Sequence, residues 1–579
     1  MCGIFGSVSN NNVVTSLIDG LYSLEYRGYD SCGLALQDDK IKIYKALGEV
    51  KNLSNKINKN INSNCGIAHT RWATHGGCTI NNCHPHFSYN KKIALVHNGT
   101  ISNYLEIKEK LLSLDEDITF NGETDSEVIA NLLAFYYLKT SSILEALKNT
   151  IKLIKGTYAI AFIVEDKKDI IYFARSFMPL YISFNEGTSY LGSDLYALPK
   201  SNKYYEVKDN TYGFMNAYQY KAFNLKKEVV YIDLDNNYER NPLSMNGFSS
   251  FMEKELNEIS SIQKVLIEKY KYSKIIKSVQ KLIRKKKLIF IGCGTSYNAS
   301  MFAKRFFKND VSCFVASSFN DEDIKISRKN IYFVISQSGE TADVLRAIKK
   351  IKKHKCKLIS ICNNSNSSIA RLSDYNLDIY CGKEISVAST KCYYATISLL
   401  YLVATFKRKD LAIEHINNFI NRVENSLSDL TKVKELAHSL ENVKTLYFVG
   451  RKEDYDLLRE VSLKLQEVCY INCLVFLGGE LKHGPIALLN EESNIICFNT
   501  NDELMKVNIE EIRSRKVKTY TFGNVEQINN KNEFYFNFDS MYEKIYLVYL
   551  MHYLTFYLAT LKGLNVDKPR NLAKCVTVD

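Results

Sequence analysis

The stretch Leu288–Ser296 reads LIFIGCGTS and decides the fold of the second half of the chain. Its apolar strand run leads through a glycine-containing loop into a helical pattern, and Ile331–Ile335 leads in the same way into Ser336–Thr341 (SQSGET). Strands that are apolar on both faces and alternate with helices are typical of a doubly wound parallel sheet. The order recurs at Leu446–Val449 and Ile495–Phe498, so we expect two tandem α/β units.

The first half has a different pattern, in which short alternating β-type segments are separated by helices such as Asp125–Tyr137. This predicts a layered α+β domain. A segment rich in Asn, Pro, Ser and Gly follows near residues 236–250 and is typical of a linker. The predicted divisions are a first domain at 1–238, a linker and entry helix at 239–275, α/β units at 276–415 and 430–565, and a tail at 566–579.

Composition indicates a folded chain of several domains. Among 579 residues, 46% are hydrophobic, 24% are charged and only 6 are proline, which excludes collagen-like and largely disordered classes. The net charge of +13 is a mild bias for this length, and the densest basic run, Arg284–Lys287, directly precedes a strand pattern. We therefore expect no nucleic-acid partner.

Cysteine usage and hydropathy bear on location. The 15 cysteines are scattered and odd in number, and no secretory leader precedes them, so we expect reduced thiols and a cytoplasmic protein. Ile545–Leu561 is apolar, but it is shorter than the roughly 20 residues of a membrane span and carries His552. We interpret it as a buried helix and expect no membrane association.

Cys2 is a candidate nucleophile because removal of Met1 would leave a cysteine with a free α-amine. That amine has a reference pKa of about 7.7 to 8.0 and can serve as general base for its own thiol. Arg71 offers a planar fork suited to an α-carboxylate, and Asp125 could pair with an α-ammonium. Asn98-Gly99, on a predicted turn, could bind a developing oxyanion.

Each of these residues also has a structural interpretation. Asp125 could be a helix N-cap, and Asn98-Gly99 could be an ordinary hairpin turn. A Cys-x4-Cys-His-x-His run, formed by Cys78, Cys83, His84 and His86, contains four possible zinc ligands. Its spacing fits no established metal motif, and we expect no metal.

The motifs around these residues closely resemble the glutaminase domain of class II, N-terminal-nucleophile amidotransferases. The motifs are Met1–Gly6, Leu24–Ser31, His69–Gly76, His97–Gly99 and Glu123–Asp125. The resemblance implies a four-layer αββα fold, glutamine as substrate, Cys2 as nucleophile and an oxyanion hole from Asn98 and Gly99. The glutamine-binding residues that it implies are Arg71, Trp72, Thr74, His75 and Asp125.

The second half carries its own chemistry. In Ser336–Thr341 several hydroxyls and N–H groups converge at the start of a helix, which predicts a phosphate site; N-capping explains only one of these hydroxyls. Gly292–Ser296 repeats the pattern but lacks the glycines of a dinucleotide fingerprint and the ending of a Walker loop, so NAD and ATP are not indicated. Glu460, Lys464 and Glu467 share one helix face, either as a solvated salt-bridge row or as a carboxylate base held beside a cation.

These motifs, with Val387–Lys391, Glu480–Pro485 and the tail from Asp567, resemble sugar isomerase domains and the isomerising glutamine:fructose-6-phosphate amidotransferases. The resemblance implies that ammonia from glutamine is channelled to fructose 6-phosphate, giving glucosamine 6-phosphate, in a homodimer without a cofactor. Trp72 would gate the ammonia path.

The resemblance also implies roles for single residues. His483 of a partner subunit would open the sugar ring, Lys574 would form a Schiff base, and Glu467 would move a proton with support from Lys464 and Glu460. The implied sugar-phosphate ligands are Thr295, Ser296, Ser336, Gln337, Ser338, Thr341, Val387 and Ser389.

Two other functions are compatible with parts of the pattern. Another class II amidotransferase would need a pyrophosphate-sugar loop, an ATP-pyrophosphatase motif, or flavin and iron-sulfur segments, and none is found. A non-catalytic sugar-phosphate sensor would not need Glu467, His483 and Lys574, which are all present.

Overall fold

The structure is a computed structural model that describes residues 2–58, 60–73, 76–201, 203–229, 232–234, 244–321, 324–524 and 532–575. The chain divides into two compact units: Met1–Leu243 with Cys575–Asp579, and Ser244–Lys574. Thr74 and His75, the linker residues 239–243 and the tail residues 576–579 lie outside the described residues.

Two antiparallel sheets form the first unit. The larger has the strand order β14-β11-β9-β10-β1-β4-β2-β3, and the smaller has the order β13-β12-β8-β7-β6-β5. The strands are β1 (Gly3–Ser9), β2 (Ser31–Gln37), β3 (Ile41–Leu47), β4 (Cys65–Arg71), β5 (His86–Phe87), β6 (Ile93–Ile101), β7 (Gly156–Val164), β8 (Lys167–Ser176), β9 (Tyr181–Asn185), β10 (Thr188–Gly192), β11 (Tyr204–Glu206), β12 (Thr211–Met215), β13 (Tyr220–Phe223) and β14 (Ile232–Leu234).

Helices cover the outer face of each sheet. The helices are α1 (Val14–Leu24), α2 (Val50–Ser54), α3 (Tyr104–Leu114), α4 (Asp125–Thr140) and α5 (Ile143–Leu153). Helices α1 and α2 share a buried core with the larger sheet, and α3 to α5 share one with the smaller. A third core, which includes the fully buried Ile4 and Ala94, lies between the sheets. The predicted αββα layering is confirmed, because apolar side chains on both faces of each sheet need a cover.

The second unit contains two five-stranded sheets, both parallel throughout. Their orders are β16-β15-β17-β18-β19 and β21-β20-β22-β23-β24, so the same order of strands occurs twice. The strands are β15 (Leu288–Gly292), β16 (Val311–Val315), β17 (Ile331–Ser336), β18 (Lys357–Cys362), β19 (Tyr375–Asp378), β20 (Thr445–Gly450), β21 (Asn472–Leu477), β22 (Asn494–Asn499), β23 (Lys518–Gly523) and β24 (Glu533–Tyr535). The tandem doubly wound units predicted from the apolar strand runs are confirmed.

Thirteen further helices are described in this unit. They are α6 (Phe251–Asn257), α7 (Ile259–Tyr270), α8 (Lys274–Ile283), α9 (Gly294–Ala303), α10 (Ala316–Asp321), α11 (Ala342–Lys353), α12 (Ser368–Leu372), α13 (Lys391–Thr405), α14 (Lys409–Glu424), α15 (Leu427–Leu440), α16 (Lys452–Cys469), α17 (Glu503–Arg513) and α18 (Ile545–Leu561). One continuous core joins α13, α16 and α18 to both sheets.

Helix α18 confirms the prediction of a buried helix, since nearly all of its side chains are buried in that core. Its polar His552 is fully buried, and Nδ1 of the ring forms a hydrogen bond of 2.9 Å with the Tyr394 hydroxyl. Among the described helices, none combines the length and the hydropathy needed to cross a membrane.

Candidate active sites

The first candidate site is built around Cys2, at the start of β1. Strand β4 pairs with β1 and ends at Arg71, which brings the next residue, Trp72, to the thiol: its backbone N–H lies 3.4 Å from Sγ. Burial raises the pKa of the Cys2 thiol, while the Trp72 N–H and the Arg71 guanidinium act in the opposite direction. The thiol therefore needs a base to become a nucleophile at neutral pH.

Asn98 is held in one orientation beside Cys2. Its amide Nδ2 donates to the Cys2 carbonyl at 3.2 Å, and its Oδ1 accepts from His69 Nε2 at 3.0 Å. The same His69 nitrogen lies 3.1 Å from the His97 carbonyl. Because both neighbours of Nε2 are acceptors, Nε2 carries the proton and fixes which end of Asn98 faces Cys2.

His69 was part of a quoted motif, but no role was predicted for it. Burial lowers the pKa of its imidazole to about 3, so the ring is neutral at physiological pH. Its ring stacks on His84 with 4.0 Å between the centroids. The sequence contains His69 but does not show that it contacts Asn98, a predicted oxyanion residue. That contact can be found only once the arrangement of the strands is known.

Asn98 and Gly99 lie inside strand β6, so the prediction that they occupy a turn is wrong. Each of the two residues pairs with a residue of β7, in a strand that continues to Ile101. Gly99 has a φ of +128°, and a Cβ built on it would lie 2.0 Å from the Thr157 carbonyl oxygen. Only glycine fits this position.

We expect Gly99→Ala to lower the free energy of unfolding of the first unit by about 2 to 5 kcal/mol, because left-handed backbone strain and a backbone clash add. Thermal unfolding followed by circular dichroism measures the loss. Gly48→Ala is the matched control in the same unit, since Gly48 also has a positive φ, +78°, but a built Cβ meets only the Asn52 side-chain amide nitrogen, at 3.0 Å, and no backbone atom. Equal losses in the two variants would show that strain alone, and not the closeness of β7, requires glycine at Gly99.

Two of the predicted glutamine ligands lie at the ends of elements, Arg71 at the end of β4 and Asp125 at the start of α4. Arg71 donates from its two terminal nitrogens to the carbonyls of Gly76 and Gly77, both at 3.2 Å. Asp125 accepts from the Ile101 N–H at 2.9 Å. The N-cap of α4 is Thr124, so the alternative that Asp125 caps this helix is wrong.

The cysteine–histidine run beside the site forms hydrogen bonds of its own. His86 Nε2 lies 3.1 Å from the Thr124 hydroxyl, and Cys83 Sγ contacts the Thr79 carbonyl at 3.2 Å. Burial lowers the pKa of His84 and of His86 well below the usual range. Within the described ranges, no group of three or more His, Cys, Asp or Glu side chains could hold a metal ion.

The second candidate site begins at the end of β17 with Ser336–Thr341, here called the hydroxyl loop. Ser336 Oγ lies 2.8 Å from the Thr341 hydroxyl and accepts from the Gly339 N–H at 3.1 Å, and Ser338 Oγ accepts from the Glu340 N–H at 3.1 Å. Strands β15 and β17 are neighbours whose connections leave in opposite directions, a switch point at which ligands of open α/β sheets bind. Gln337 and Ser338 are partly exposed there, as are Thr295 and Ser296 in the first turn of α9.

Helix α16 carries the acid–base cluster. Lys464 Nζ lies 2.7 Å from Glu467 Oε2 and 3.4 Å from Glu460 Oε1. The side chains of Lys464 and Glu460 are 1% and 0% exposed, whereas Glu467 is 23% exposed. The interpretation as a solvated salt-bridge row is therefore wrong, and Glu467 is the member that reaches open space.

Two residues of α9 complete this cluster. The Thr295 hydroxyl lies 2.8 Å from Lys464 Nζ and 3.0 Å from Glu460 Oε1, and Asn298 Nδ2 donates to Glu460 Oε2 at 2.9 Å. Thr295 thus bonds to the acid–base cluster, although it was predicted as a phosphate ligand. Asn298 was not predicted, because only the packing of α9 on α16 brings the two helices' polar groups together.

Charges within the cluster set the protonation of its lysine. Burial lowers the pKa of Lys464, but Glu460 and Glu467 outweigh it, so that the pKa is above its usual value. Burial raises the pKa of Glu460, against the pull of Lys464. Lys464 therefore remains an ammonium at neutral pH, and a carboxylate beside an ammonium is suited to moving a proton next to a carbonyl.

Lys574 lies in a second buried ion pair, with a residue that sequence reasoning missed. Its Nζ is 2.5 Å from Glu384 Oε2 and 2.7 Å from the Ser386 carbonyl. The hydroxyl of Ser389, a predicted sugar-phosphate ligand, donates to the same Glu384 oxygen at 2.9 Å. Nearby, the Val387 N–H donates to the Asp567 carbonyl at 3.0 Å, which ties the tail to this loop. A glutamate close to the Val387–Lys391 motif was the only available signal.

His483 lies apart from both clusters. It ends the 3₁₀ turn Leu481–His483, in which Leu481 is buried and Lys482 and His483 are exposed. In the part of the chain that the structure describes, no hydrogen bond or ion pair connects its ring to Glu467 or Lys574.

Comparisons with known families match both halves of the chain. Residues 73–200 match the family model described as a glutamine amidotransferase domain, and residues 281–406 match the SIS domain. The C-terminal domain of a glucosamine-fructose-6-phosphate aminotransferase from Francisella tularensis superposes with a TM-score of 0.52 at 29% identity, covering 56% of this chain and 100% of that one.

Full-length relatives extend this match over the whole chain. The glutamine–fructose-6-phosphate aminotransferase (isomerizing) of Buchnera aphidicola subsp. Baizongia pistaciae (strain Bp) is 35% identical, with 100% of both chains covered. That of Caldanaerobacter subterraneus subsp. tengcongensis is 34% identical over the same shares. The chain therefore belongs to the glutamine–fructose-6-phosphate aminotransferase (isomerizing) family.

Proposed function

We propose that the chain hydrolyses glutamine in its first unit and uses the ammonia to aminate fructose 6-phosphate in its second, with isomerisation to glucosamine 6-phosphate. One observation carries the proposal: a single chain holds both a near-terminal thiol beside a fixed amide and a buried carboxylate–ammonium cluster beside a hydroxyl loop. The first arrangement suits amide hydrolysis, and the second suits proton transfer on a phosphosugar.

In the first unit, Cys2 Sγ attacks the side-chain carbonyl carbon of glutamine, and the α-amine freed by removal of Met1 takes the thiol proton. Asn98 Nδ2 and the Gly99 N–H stabilise the oxyanion, ammonia leaves, and water hydrolyses the thioester to glutamate. Arg71 holds the α-carboxylate and Asp125 the α-ammonium. Trp72, which contacts the thiol through its backbone, gates the departure of ammonia.

Thr74 and His75 are further proposed ligands of glutamine, on the resemblance of their motif alone.

In the second unit the sugar phosphate binds the hydroxyl loop, and His483 of a partner subunit opens the ring. The exposure of His483 supports a role across a subunit interface, and such a role requires a homodimer. Sedimentation of the purified chain tests whether it is a dimer. The proposed phosphosugar ligands are Thr295, Ser296, Ser336, Gln337, Ser338, Thr341, Val387 and Ser389.

The chemistry on the sugar then needs one nucleophile and one base. Lys574 forms a Schiff base at C2, ammonia replaces it, and the C2 imine remains. Glu467 removes a proton from C1 and returns it to C2, while the C1 hydroxyl loses its proton and the imine nitrogen gains one, which leaves an aldehyde at C1 and an amine at C2. Lys464 pairs with Glu467 at 2.7 Å and orients its carboxylate, and Glu460 holds Lys464 in place.

We propose the domain limits given above: 1–238 for the first domain, 239–275 for the linker and entry helix, 276–415 and 430–565 for the two α/β units, and 566–579 for the tail. We also propose a cytoplasmic location, which is supported by the 15 free cysteines.

Product analysis tests the proposed function. We expect purified chain with fructose 6-phosphate and glutamine to yield equal amounts of glucosamine 6-phosphate and glutamate, measured by mass spectrometry, with ¹⁵N from the glutamine amide in the sugar product. Aspartate in place of glutamine, and phosphoribosyl pyrophosphate in place of fructose 6-phosphate, are the negative controls. Nitrogen transfer to either alternative acceptor, or hydrolysis with no labelled sugar, would contradict the proposal.

A further inference from the structure

The Lys574 amine forms a buried ion pair with Glu384. A Schiff base needs a neutral amine, but Nζ lies 2.5 Å from the Glu384 carboxylate, and the two side chains are 4% and 0% exposed. Water therefore has little access to remove a proton from the ammonium. Some group in the protein has to accept that proton before C2 can be attacked.

Glu384 is the acceptor in direct contact with Nζ. Its Oε2 takes the Lys574 ammonium and the Ser389 hydroxyl, and its Oε1 accepts from the N–H groups of Thr390 at 3.0 Å and Cys392 at 3.2 Å. Burial raises the pKa of Glu384, but the charge and hydrogen bond of Lys574 outweigh it and lower the pKa to about 2. Once Lys574 is neutral this pull disappears, while the effect of burial remains.

A second buried carboxylate, that of Glu255, neighbours Glu384 of the Lys574–Glu384 pair. Glu255 of α6 is 2% exposed; its Oε1 accepts from the N–H groups of Ile385 and Ser386, and its Oε2 has no hydrogen-bond partner among the described residues. Burial and the neighbouring Glu384 raise the pKa of Glu255 to about 8. The other ionisable groups around Glu384 are Lys391, which pairs with Glu258 at 2.7 Å, the thiols of Cys381 and Cys392, and His552 of α18.

Resting on the proposed function, we propose that Glu384 is the proton acceptor and donor for Lys574 during Schiff-base formation. Glu384 takes one proton from the ammonium, giving a neutral amine and a carboxylic acid. Burial favours this neutral pair relative to the ion pair, because charged groups lose more hydration free energy than neutral groups when they are buried. The Nζ electron pair then forms the bond to C2, and the C2 oxygen becomes a hydroxyl by taking a proton from the new ammonium. Glu384 returns its proton to that hydroxyl, which leaves as water.

Borohydride trapping tests this assignment. Full-length wild type and Glu384→Gln are incubated with fructose 6-phosphate, without glutamine, and the reduced adduct on Lys574 is quantified by peptide mass spectrometry from pH 6 to pH 10. We expect trapping by Glu384→Gln to be slower by about 10² or more near neutral pH and to recover as pH rises, because hydroxide then removes the proton. Glu384→Asp, which keeps the carboxylate, should retain the pH profile of the wild type.

Glu258→Gln is the matched control, since it removes a carboxylate of the same cluster that pairs with Lys391 and not with Lys574. It should leave the pH profile unchanged. Glutamine hydrolysis and thermal unfolding monitor folding, and if Glu384→Gln does not fold, the pH profile of Glu384→Asp decides. Wild-type trapping rates and pH dependence in Glu384→Gln, or a shifted profile in Glu384→Asp, would overturn the assignment. An absence of adduct in the wild type would overturn the proposed function itself.

Discussion

Cys2→Ala is expected to lower glutamine hydrolysis by about 10³-fold or more while leaving the isomerisation of fructose 6-phosphate intact. Among the described hydrogen bonds, only the Cys2 thiol bonds to the Trp72 backbone, and the carbonyl of the same residue accepts from the Asn98 amide. Removing it leaves no nucleophile, whereas the acid–base cluster of α16 belongs to the other unit of the chain. Release of glutamate, and conversion of fructose 6-phosphate to glucose 6-phosphate, measure the two activities separately.

Cys78→Ala is the matched control, because Cys78 is exposed and lies in the same unit without contact to Cys2 among the described hydrogen bonds. It should keep both activities. A folded Cys2→Ala protein that has lost both activities would contradict the division of labour between the units. Intact-mass data that show Met1 retained on active enzyme would contradict the role of the α-amine.

The layered fold of the first unit was predictable because its signals are local. The stretches Ile93–His97 and Tyr158–Val164 are almost wholly apolar, which predicts short strands whose side chains must be covered on both faces. The position of Gly99 was not predictable in the same way. Asn-Gly is a common turn pair, and only the pairing of β6 with β7 shows that the strand continues through it and needs glycine for closeness to Thr157.

In the second unit, the sequence reveals which helix carries the acid–base residues but not their environment. The spacing of Glu460, Lys464 and Glu467 establishes a shared face, and a shared face can be solvated or buried. The structure resolves this because α9 covers that face with Thr295 and Asn298. Likewise, Glu384 is separated from Lys574 by most of the second unit, so no spacing rule could connect them.

The same tertiary contacts explain why charged groups are kept in the core at all. A buried lysine without a partner would lose its charge, and a buried carboxylate would gain a proton. Lys464 and Lys574 each contact a carboxylate on a different turn or segment, which places an opposite charge beside each amine inside an apolar unit. Such pairs contribute little to stability and are typical of sites that move protons.

Glu467→Gln is expected to lower the formation of glucosamine 6-phosphate by about 10² to 10⁴-fold while glutamine hydrolysis continues. The amide keeps the shape of the side chain but cannot take a proton from C1. Lys464 would remain an ammonium, because Glu460 still neighbours it at 3.4 Å. The measurement is the rate of sugar product, together with the exchange of deuterium from solvent into the C2 position.

Glu435→Gln controls for the loss of one negative charge, since Glu435 is an exposed residue of α15. It should change neither rate. The deuterium readout separates a catalytic base from a structural partner of Lys464: a base that is absent stops exchange at C2 even when Schiff-base trapping on Lys574 proceeds. A different result would contradict the role of Glu467 as the base: Glu467→Gln could retain deuterium exchange at C2 but lose trapping of the Schiff base on Lys574. Glu467 would then serve to hold the sugar, and another group of the same cluster would have to take the proton from C1.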